Sequence, residues 1–332
     1  SMSAKHLRSW LCAMAFAAAP GVEAAIHFYQ LDGVVFDDGT QATGAFMYDD
    51  VSKHIVAWNV SVQGNGAFLP FSYMPGDSTG SLQPSPVSMV VFSSEEAGVP
   101  YEGGVVPREL RIIPSLPLGG GAGLIPIDTV GVGGWTSVEC YNCFPERRIV
   151  AGALHETSSP PLAFLTEAIE FYHAGFDHYF VTVYTDEILA LDTGYFKGWA
   201  RTGEKFHVFE AGSFNEAPVR PVCRYYGLPS AGLDSHFYSA DPAECYRVNR
   251  DYGTEWQVES GNVFQIALPD KTTGDCPIAG VPVYRVFNHR SDANHRYTTK
   301  TAIRAQMELA GWIREGYGPD AVIMCAMPPP QD

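Results

Sequence analysis

The C-terminal half of the chain repeats itself with a period of about 58 residues. Three kinds of residue recur in series: the histidines are spaced by 58 and 59 residues, and the tryptophans by 57 and 56. The three series are His178, His236 and His295; Trp199, Trp256 and Trp312; and Glu204, Glu259 and Glu315. Self-similarity of this kind is the signature of repeated supersecondary units, which bury their apolar faces only against one another.

Each unit has the pattern of an aromatic strand, a histidine strand, a short helix, a tryptophan strand and a final strand. The helix signal is clearest where Asp241 precedes Pro242 and Glu244, which form a capping box with proline at the first helical position. Three such units predict an all-β fold with short helices, arranged as a pseudo-threefold β-trefoil-like module. The predicted module is 165–326, with repeats at 165–219, 220–278 and 279–326.

The repeats resemble a bacterial repeat of unknown function that is found at the C-termini of many exported and surface-attached proteins. The resemblance spans 165–326, and its motifs are Tyr284-Arg285-Val286-Phe287-Asn288, Asn294-His295 with Tyr297-Thr298-Thr299, and Gly311-Trp312 with Glu315-Gly316. Asp177-His178-Tyr179-Phe180 and Ser235-His236-Phe237-Tyr238 are variants of the second motif. The resemblance implies extracellular deployment and attachment to cell-wall or other glycan.

The N-terminal half has a different pattern. Residues 25–156 alternate short apolar runs with turn residues, which predicts an antiparallel β-sandwich or barrel. The stretch 35–49 resembles an N-terminal β domain of exported Gram-negative proteins. Its neighbourhood contains four aspartates that offer calcium the oxygen ligands it prefers, although Asp-rich turns need no ion. These residues are Asp37, Asp38, Asp49 and Asp50.

Two prolines separate the halves. Pro160 and Pro161 lie in 157–164 and predict an extended linker, because proline fixes its backbone and cannot donate to a sheet or helix. The last residues, 327–332, are predicted to form a tail.

The N-terminus predicts export. Lys5 and Arg8 precede an apolar run, and Val22 and Ala24 fit a signal-peptide cleavage site, so that 1–24 would be removed. No other stretch approaches the ~18 apolar residues that a membrane span requires, which argues against membrane insertion. The formal net charge is −16 at pH 7, and so acidic a surface repels nucleic acid. We expect a periplasmic, extracellular or cell-surface protein.

Six of the seven cysteines remain after the predicted cleavage. An even number in an oxidising compartment indicates disulfides. The predicted pairs are Cys140–Cys143, Cys223–Cys245 and Cys276–Cys325.

The repeats suggest a binding function. Trefoil-like lectins bind sugars with one aromatic platform and a few polar groups per repeat, because a pyranose has an apolar face and many hydroxyls. The candidate ligand-binding residues are Trp199, Trp256, Trp312, Asp177, Glu259, Asn294 and Glu315. A core position for the tryptophans is the alternative interpretation.

The histidines give the remaining hypotheses. His178, His236 and His295 are expected to fix turns by hydrogen bonding, because H-E-x-x-H and G-x-S-x-G patterns are absent. We therefore predict a binding module for a glycan or cell-envelope ligand, without a cofactor. The alternatives are a structural or protein-interaction protein, and a metal-dependent hydrolase in which the three histidines converge on zinc.

Overall fold

The computed structural model describes residues 26–121, 123–214, 219–278 and 280–329. Strands account for 51% of the described residues, so the fold is mostly β, as predicted. The N-terminal strands are β1 (Ile26–Phe36), β2 (Gln41–Asp49), β3 (His54–Val62), β4 (Phe71–Tyr73), β5 (Thr79–Gln83), β6 (Met89–Tyr101), β7 (Gly104–Ile112), β8 (Leu124–Pro126), β9 (Val138–Tyr141) and β10 (Glu146–Thr157). The predicted signal peptide, 1–24, lies outside the described residues.

The N-terminal strands form one antiparallel sheet in the order β4-β3-β2-β1-β10-β9-β7-β6-β5, with β8 paired to β10. The sheet folds over its own apolar face. The Trp58 ring on β3 lies 6.4 Å from the Phe92 ring on β6, and Trp58 Nε1 donates to Ser78 Oγ at 2.9 Å. None of the described sheets closes into a barrel.

A buried ion cluster ties four strands of this sheet together. Glu139 on β9 accepts from Arg108 Nε at 2.7 Å, from Arg147 Nε at 2.7 Å and from Tyr73 Oη at 2.8 Å. Burial alone would lower the pKa of Arg108, but hydrogen bonding to Glu139 raises it above its ordinary value. The charges are tolerated in the core because each has a partner.

The aspartates proposed as calcium ligands lie in turns or at the strand end that leads into one. Asp38 accepts from the Thr40 amide at 2.9 Å between β1 and β2, and Asp49 accepts from the Val51 amide at 2.8 Å between β2 and β3. Asp37 accepts from the Arg148 amide, and Asp50 lies 3.4 Å from His27. Within the described ranges, no three His, Cys, Asp or Glu residues are grouped to hold a metal.

The C-terminal half follows the predicted order of elements. Repeat 1 contains β11 (Leu165–His173), β12 (His178–Thr182), α1 (Thr185–Asp192) and β13 (Trp199–Phe209). Repeat 2 contains β15 (Cys223–Gly227), β16 (Ser235–Ser239), α2 (Pro242–Tyr252), β17 (Trp256–Ser260) and β18 (Gln265–Ala267), preceded by β14 (Val219–Pro221). Repeat 3 contains β19 (Val281–Phe287), β20 (His295–Thr298), α3 (Thr301–Leu309), β21 (Ile313–Glu315) and β22 (Val322–Ala326).

These strands form two open sheets. One follows the path β12-β11-β13-β18-β22-β19-β20, with β14 paired to β18 and β21 to β19, and the other has the order β16-β15-β17. Asp241 caps α2 by accepting the Ala243 amide at 3.0 Å, as its sequence predicts. Gly311 follows the end of α3 in the left-handed conformation, at φ 93°.

Strand register corrects the alignment of the first repeat. The equivalent pairs in the three opening hairpins are Tyr172 with Tyr179, Tyr226 with His236, and Phe287 with His295. Tyr179 therefore takes the position of the two later histidines, and His178 takes that of Ser235 and Asn294. The histidine spacing was misleading because it matched identical residues rather than pairing positions.

The hydroxyl that ends each hairpin fixes this register. Thr182, Ser239 and Thr298 each accept the amide two residues further on, at 3.1, 3.0 and 3.1 Å. Each lies three residues after the shared position that is Tyr179, His236 or His295. The short hydroxyl turn sets the entry into each helix.

Two of the three predicted disulfides are confirmed. Cys223–Cys245 and Cys276–Cys325 are bonded, with sequence separations of 22 and 49. The third pair, Cys140–Cys143, is unbonded in this structure, with its Sγ atoms 2.7 Å apart, and its disulfide stays a prediction. None of the described helices is long and apolar enough to cross a bilayer.

The two halves share an apolar cluster. Phe28, Met47 and Val56 of the N-terminal sheet pack in one buried group with Phe209 and Val322 of the C-terminal half. The linker ends in a 3-10 turn at Leu162–Phe164, and Phe164 joins the same cluster. Met327, assigned to the tail from sequence, is buried there as well and donates its amide to the His207 carbonyl.

Candidate functional site

The junction of the second and third repeats is built around a buried arginine. Arg285 on β19 donates to Glu244 on α2 at 2.8 Å (Nη2 to Oε1) and to Glu315 on β21 at 2.8 Å (Nε to Oε2). His295 on β20 completes the group, with Nε2 at 3.5 Å from Glu315 Oε2. We call this junction, defined by these four residues, seam 2/3.

The charged groups of seam 2/3 stabilise one another in their charged forms. Burial would lower the pKa of Arg285, but its hydrogen bonds to Glu244 and the nearby carboxylate charges raise it. Burial would likewise raise the pKa of Glu244, but Arg285 holds it below its ordinary value. The cation and the Glu244 carboxylate therefore remain charged at neutral pH.

His295 is neutral and incompletely bonded. Burial, and then the charge of Arg285, holds the pKa of His295 well below its ordinary value. Its ring stacks on Phe287 at 4.9 Å and meets the edge of Phe237 at 5.1 Å. Its Nδ1 is buried and has no hydrogen-bond partner among the described residues. In the tautomer that carries its proton on Nε2, Nδ1 is an acceptor without a donor; in the other tautomer it is a donor without an acceptor.

A cavity of about 450 Å³ opens on this group. Its volume lies within the range of small-ligand sites, ~300–1,000 Å³. The lining residues are Phe237, Glu244, Arg247, Val248, Asp251, Tyr252, Trp256, Arg285, Phe287, Ala293, His295 and Glu315. Three residues singled out by the repeat pattern, Trp256, His295 and Glu315, are thus brought together.

Arg247 gives the cavity a cation at its exposed side. It projects from α2, one turn after Glu244, and has no hydrogen-bond or ion-pair partner in the described part of the chain. Asp251, one turn further along, is paired with Arg250 at 2.6 Å. The cavity therefore offers both acceptors and a free donor.

The junction of the first and second repeats, seam 1/2, repeats this arrangement. Arg224 donates to Glu187 at 2.7 Å, and its Nε lies 2.8 Å from Glu259 Oε2. His236 Nε2 lies 3.3 Å from the same Glu259 oxygen. Burial would raise the pKa of Glu259, but His236 and Arg224 hold it below its ordinary value. Glu259 of the predicted set belongs to this seam.

The junction of the third and first repeats, seam 3/1, reverses the charges. Glu170 occupies the position of Arg224 and Arg285, and accepts from Arg296 at 2.8 Å. Tyr179 occupies the histidine position, with Arg296 4.1 Å from its ring centre. Trp312 meets the edge of Tyr179 at 5.9 Å. This seam is filled by side chains.

Three other predicted residues hold the repeats together. Asn294 is fully buried: its Oδ1 accepts the Tyr179 amide at 2.8 Å, and its Nδ2 donates to Ser235 Oγ at 2.9 Å. His178 Nδ1 donates to the Asp234 carbonyl at 2.9 Å. Asp177 pairs with Arg290 at 2.5 Å. The equivalent positions of the three repeats thus meet in one buried junction.

The tryptophans differ from one another. Trp312 packs in an apolar cluster with Val286 and Met307. Trp256 packs against Phe237 and also lines the cavity. Trp199 is half-buried, with its ring 5.3 Å from that of His173. Of the three, Trp256 alone lines the cavity of seam 2/3.

Sequence reasoning missed the arginine and the helical glutamate of each seam. Arg224 and Arg285 recur in the opening strands, and Glu187 and Glu244 recur at the third position of the helices. This recurrence is a readable signal. Its meaning depends on contacts between neighbouring repeats, which the pattern of a single repeat does not contain.

Taken together, the elements and seams define a β-rich module of three repeats. Residues 168–322 match the family model described as Domain of unknown function (DUF5648). The chain therefore carries a DUF5648 domain, and the match includes all three seams. Comparison with curated proteins and comparison with solved structures find no match.

Proposed function

We propose that the chain is an exported binding protein and that the cavity of seam 2/3 holds a glycan. The observation that carries the proposal is an aromatic-walled cavity that is also lined by the carboxylates of Glu244 and Glu315, by Arg247, which is unpaired among the described residues, and by His295.

The walls fit the two kinds of surface on a pyranose. Phe237, Tyr252 and Trp256 supply aromatic surface for the apolar face of a sugar ring. His295 and Glu315 supply acceptors for hydroxyl or amide donors. The formal net charge of the chain, −16, disfavours acidic sugars. The ligand class we propose is therefore a neutral glycan.

The remaining donor of the cavity is the guanidinium of Arg247, and an acetamido sugar offers it an acceptor. Its carbonyl can accept from Arg247, its N–H can donate into the cavity, and its methyl group adds apolar contact. The soluble probe that follows from this is the trimer of N-acetylglucosamine. Other neutral oligosaccharides on a glycan array test the wider class.

The test is binding to the array and calorimetry with the trimer. We expect Tyr252→Ala to weaken binding at least about tenfold, since an aromatic platform contributes ~1.4 kcal/mol or more. The matched control is Tyr246→Ala. Tyr246 is also an exposed tyrosine of α2 but does not line the cavity, and it contacts Arg250 instead.

The outcomes separate the hypotheses. Equal weakening by both variants would contradict the assignment to this cavity. A folded protein that bound no glycan on the array would favour the structural or protein-interaction alternative.

The proposal extends to architecture and location. We propose that 165–326 is a pseudo-threefold, trefoil-like module whose hairpins meet where Ser235 and Asn294 bond. The two disulfides and the signal-like segment 1–24 support a location outside the cytoplasm. The acidic balance argues against nucleic acid as a partner.

A further inference from the structure

Seam 1/2 reproduces the main interatomic distances of seam 2/3, although Arg285 Nε donates to Glu315 and Arg224 Nε has no hydrogen-bond partner among the described residues. The arginine lies 2.7 Å from the helical glutamate in seam 1/2 and 2.8 Å in seam 2/3, and 2.8 Å from the strand glutamate in both. The histidine lies 3.3 Å from that glutamate in seam 1/2 and 3.5 Å in seam 2/3. These are matched ion groups, although the residues come from different pairs of repeats.

The aromatic surroundings match as well. His236 lies 4.5 Å from Phe180 and 5.1 Å from Tyr226, as His295 lies 5.1 Å from Phe237 and 4.9 Å from Phe287. Trp199 meets Phe180 at 5.9 Å, as Trp256 meets Phe237 at 6.3 Å. Both tryptophan contacts are edge-on.

The polar groups of seam 1/2 are as accessible as those of seam 2/3. Glu187 and Glu259 expose 26% and 31% of their side chains, compared with 17% for Glu244 and 33% for Glu315. In seam 3/1 the carboxylate of the buried pair is Glu170, which stands at the arginine position and exposes 2% of its side chain. Two of the three seams can therefore present the same charged group to a ligand.

We infer that seam 1/2 is a second site for the same class of neutral glycan, so that one chain binds two ligands. This inference rests on the proposed function of seam 2/3. By sequence position Tyr195 is the counterpart of Tyr252, because each lies eight residues after the helical glutamate and four before the tryptophan, although Tyr252 ends α2 and Tyr195 follows α1 by three residues. Both tyrosines are exposed.

The two sites differ at one informative position. Three residues after the helical glutamate, seam 2/3 has Arg247, whereas seam 1/2 has Ala190. Seam 1/2 therefore lacks the guanidinium that would donate to an acetamido carbonyl. A charged hydrogen bond contributes about 1.5–3 kcal/mol, so we expect at least tenfold weaker binding of N-acetylglucosamine trimer in seam 1/2.

Native mass spectrometry and calorimetry of the whole chain with the N-acetylglucosamine trimer test the inference. We expect two trimers per wild-type chain, one tight and one weak. Tyr195→Ala should remove the weak binding event, Tyr252→Ala the tight one, and the double variant both. Tyr246→Ala should retain two trimers.

The failures of the two proposals are distinguishable. Absence of any bound trimer in the wild-type chain would overturn the acetamido-glycan assignment and the second site with it. A single trimer that Tyr252→Ala removes and Tyr195→Ala does not would support the first site and overturn the second. A second trimer that survives Tyr195→Ala would place it elsewhere and also overturn the inference.

Discussion

Seam 2/3 and seam 3/1 join neighbouring repeats at equivalent positions but bury charge in opposite ways. In seam 2/3, Arg285 of the opening strand holds two partly exposed carboxylates. In seam 3/1 the opening strand carries Glu170 instead, and Arg296 approaches it from β20. Tyr179 and Trp312 fill the space beside this pair.

The difference in charge burial between the two seams distinguishes two functions of a repeat junction, which are to join the repeats and to leave polar groups open to a ligand. A buried pair of opposite charges joins the repeats in either orientation, because each charge needs only a partner. A binding site needs more, since some polar groups must remain open to a ligand. Seam 3/1 satisfies the first requirement, whereas seams 1/2 and 2/3 satisfy both.

The largest expected effect is at seam 3/1. Arg296→Ala should lower the free energy of unfolding by about 3–5 kcal/mol, because Glu170 would remain buried without its charged partner. Urea denaturation followed by tryptophan fluorescence measures this. The double variant Glu170→Gln with Arg296→Met should recover part of the loss. A single-variant loss below about 1 kcal/mol would show that the pair does not hold the seam.

A smaller loss is expected at seam 2/3. Arg285→Met should lower the free energy of unfolding by about 1.5–3 kcal/mol, the contribution of hydrogen bonds to charged groups. Glu244 and Glu315 can regain water because they are partly exposed. The same denaturation experiment compares the seams. A loss as large as that of Arg296→Ala would remove the distinction between a filled and an open seam.

The third prediction concerns pH. The pKa of His295 is lowered in the folded protein, so unfolding takes up a proton below pH ~6.5, the ordinary histidine value. The contribution of His295 to the free energy of unfolding is fully present above that pH and is lost as the pH falls below it. Between pH 7.5 and 5.0 we expect His295 to lower the free energy of unfolding of the wild type by up to about 2 kcal/mol. The variant His295→Gln should lack this contribution.

Other groups do not obscure this measurement. Burial also lowers the pKa of His207, but His207 titrates in both proteins. Arg285 holds the pKa of Glu244 below its ordinary value, so stability from Glu244 is lost only below pH ~4.3. Identical pH profiles for wild type and His295→Gln would contradict the prediction.

The smallest effect is expected at the surface of seam 3/1. Lys300 pairs with Glu204 at 2.8 Å, and the lysine side chain is more than half exposed. Lys300→Ala should change the free energy of unfolding by less than about 0.5 kcal/mol, and 1 M NaCl should abolish the difference. A loss above about 1 kcal/mol would contradict this prediction and show that the exposed pair also holds the seam.

Local signals were sufficient to predict the repeats. The cap at Asp241 and the glycine after α3 depend on a few adjacent residues, and the structure contains both helices they predict. The second half of the predicted capping box is not formed, because Glu244 pairs with Arg285 and the Asp241 amide donates to Ser239. The pairs Cys223–Cys245 and Cys276–Cys325 were also predictable, because the first lies within the second repeat and the second brackets the third repeat.

The seams were not predictable in the same way. Arg285 meets Glu244 across 41 residues and a boundary between repeats, and Glu170 meets Arg296 across 126. An alignment of the repeats shows which positions are equivalent. It does not show which repeats become neighbours, and the contacts of a seam depend on that. The sequence alignment placed His178 one position away from its true equivalents for the same reason. Only the pairing of β12 with β11 shows which residues of the three repeats are equivalent.

The apolar cluster shared by the two halves affects how the family domain can be handled. A fragment cut at the linker would leave Phe209, Val322 and Met327 facing water without Phe28 and Met47. Such a fragment would tend to self-associate, since newly exposed apolar surface promotes aggregation. Excision would therefore require polar replacements on that face, because the limits of the sequence family, 168–322, are not the limits of an independently soluble unit.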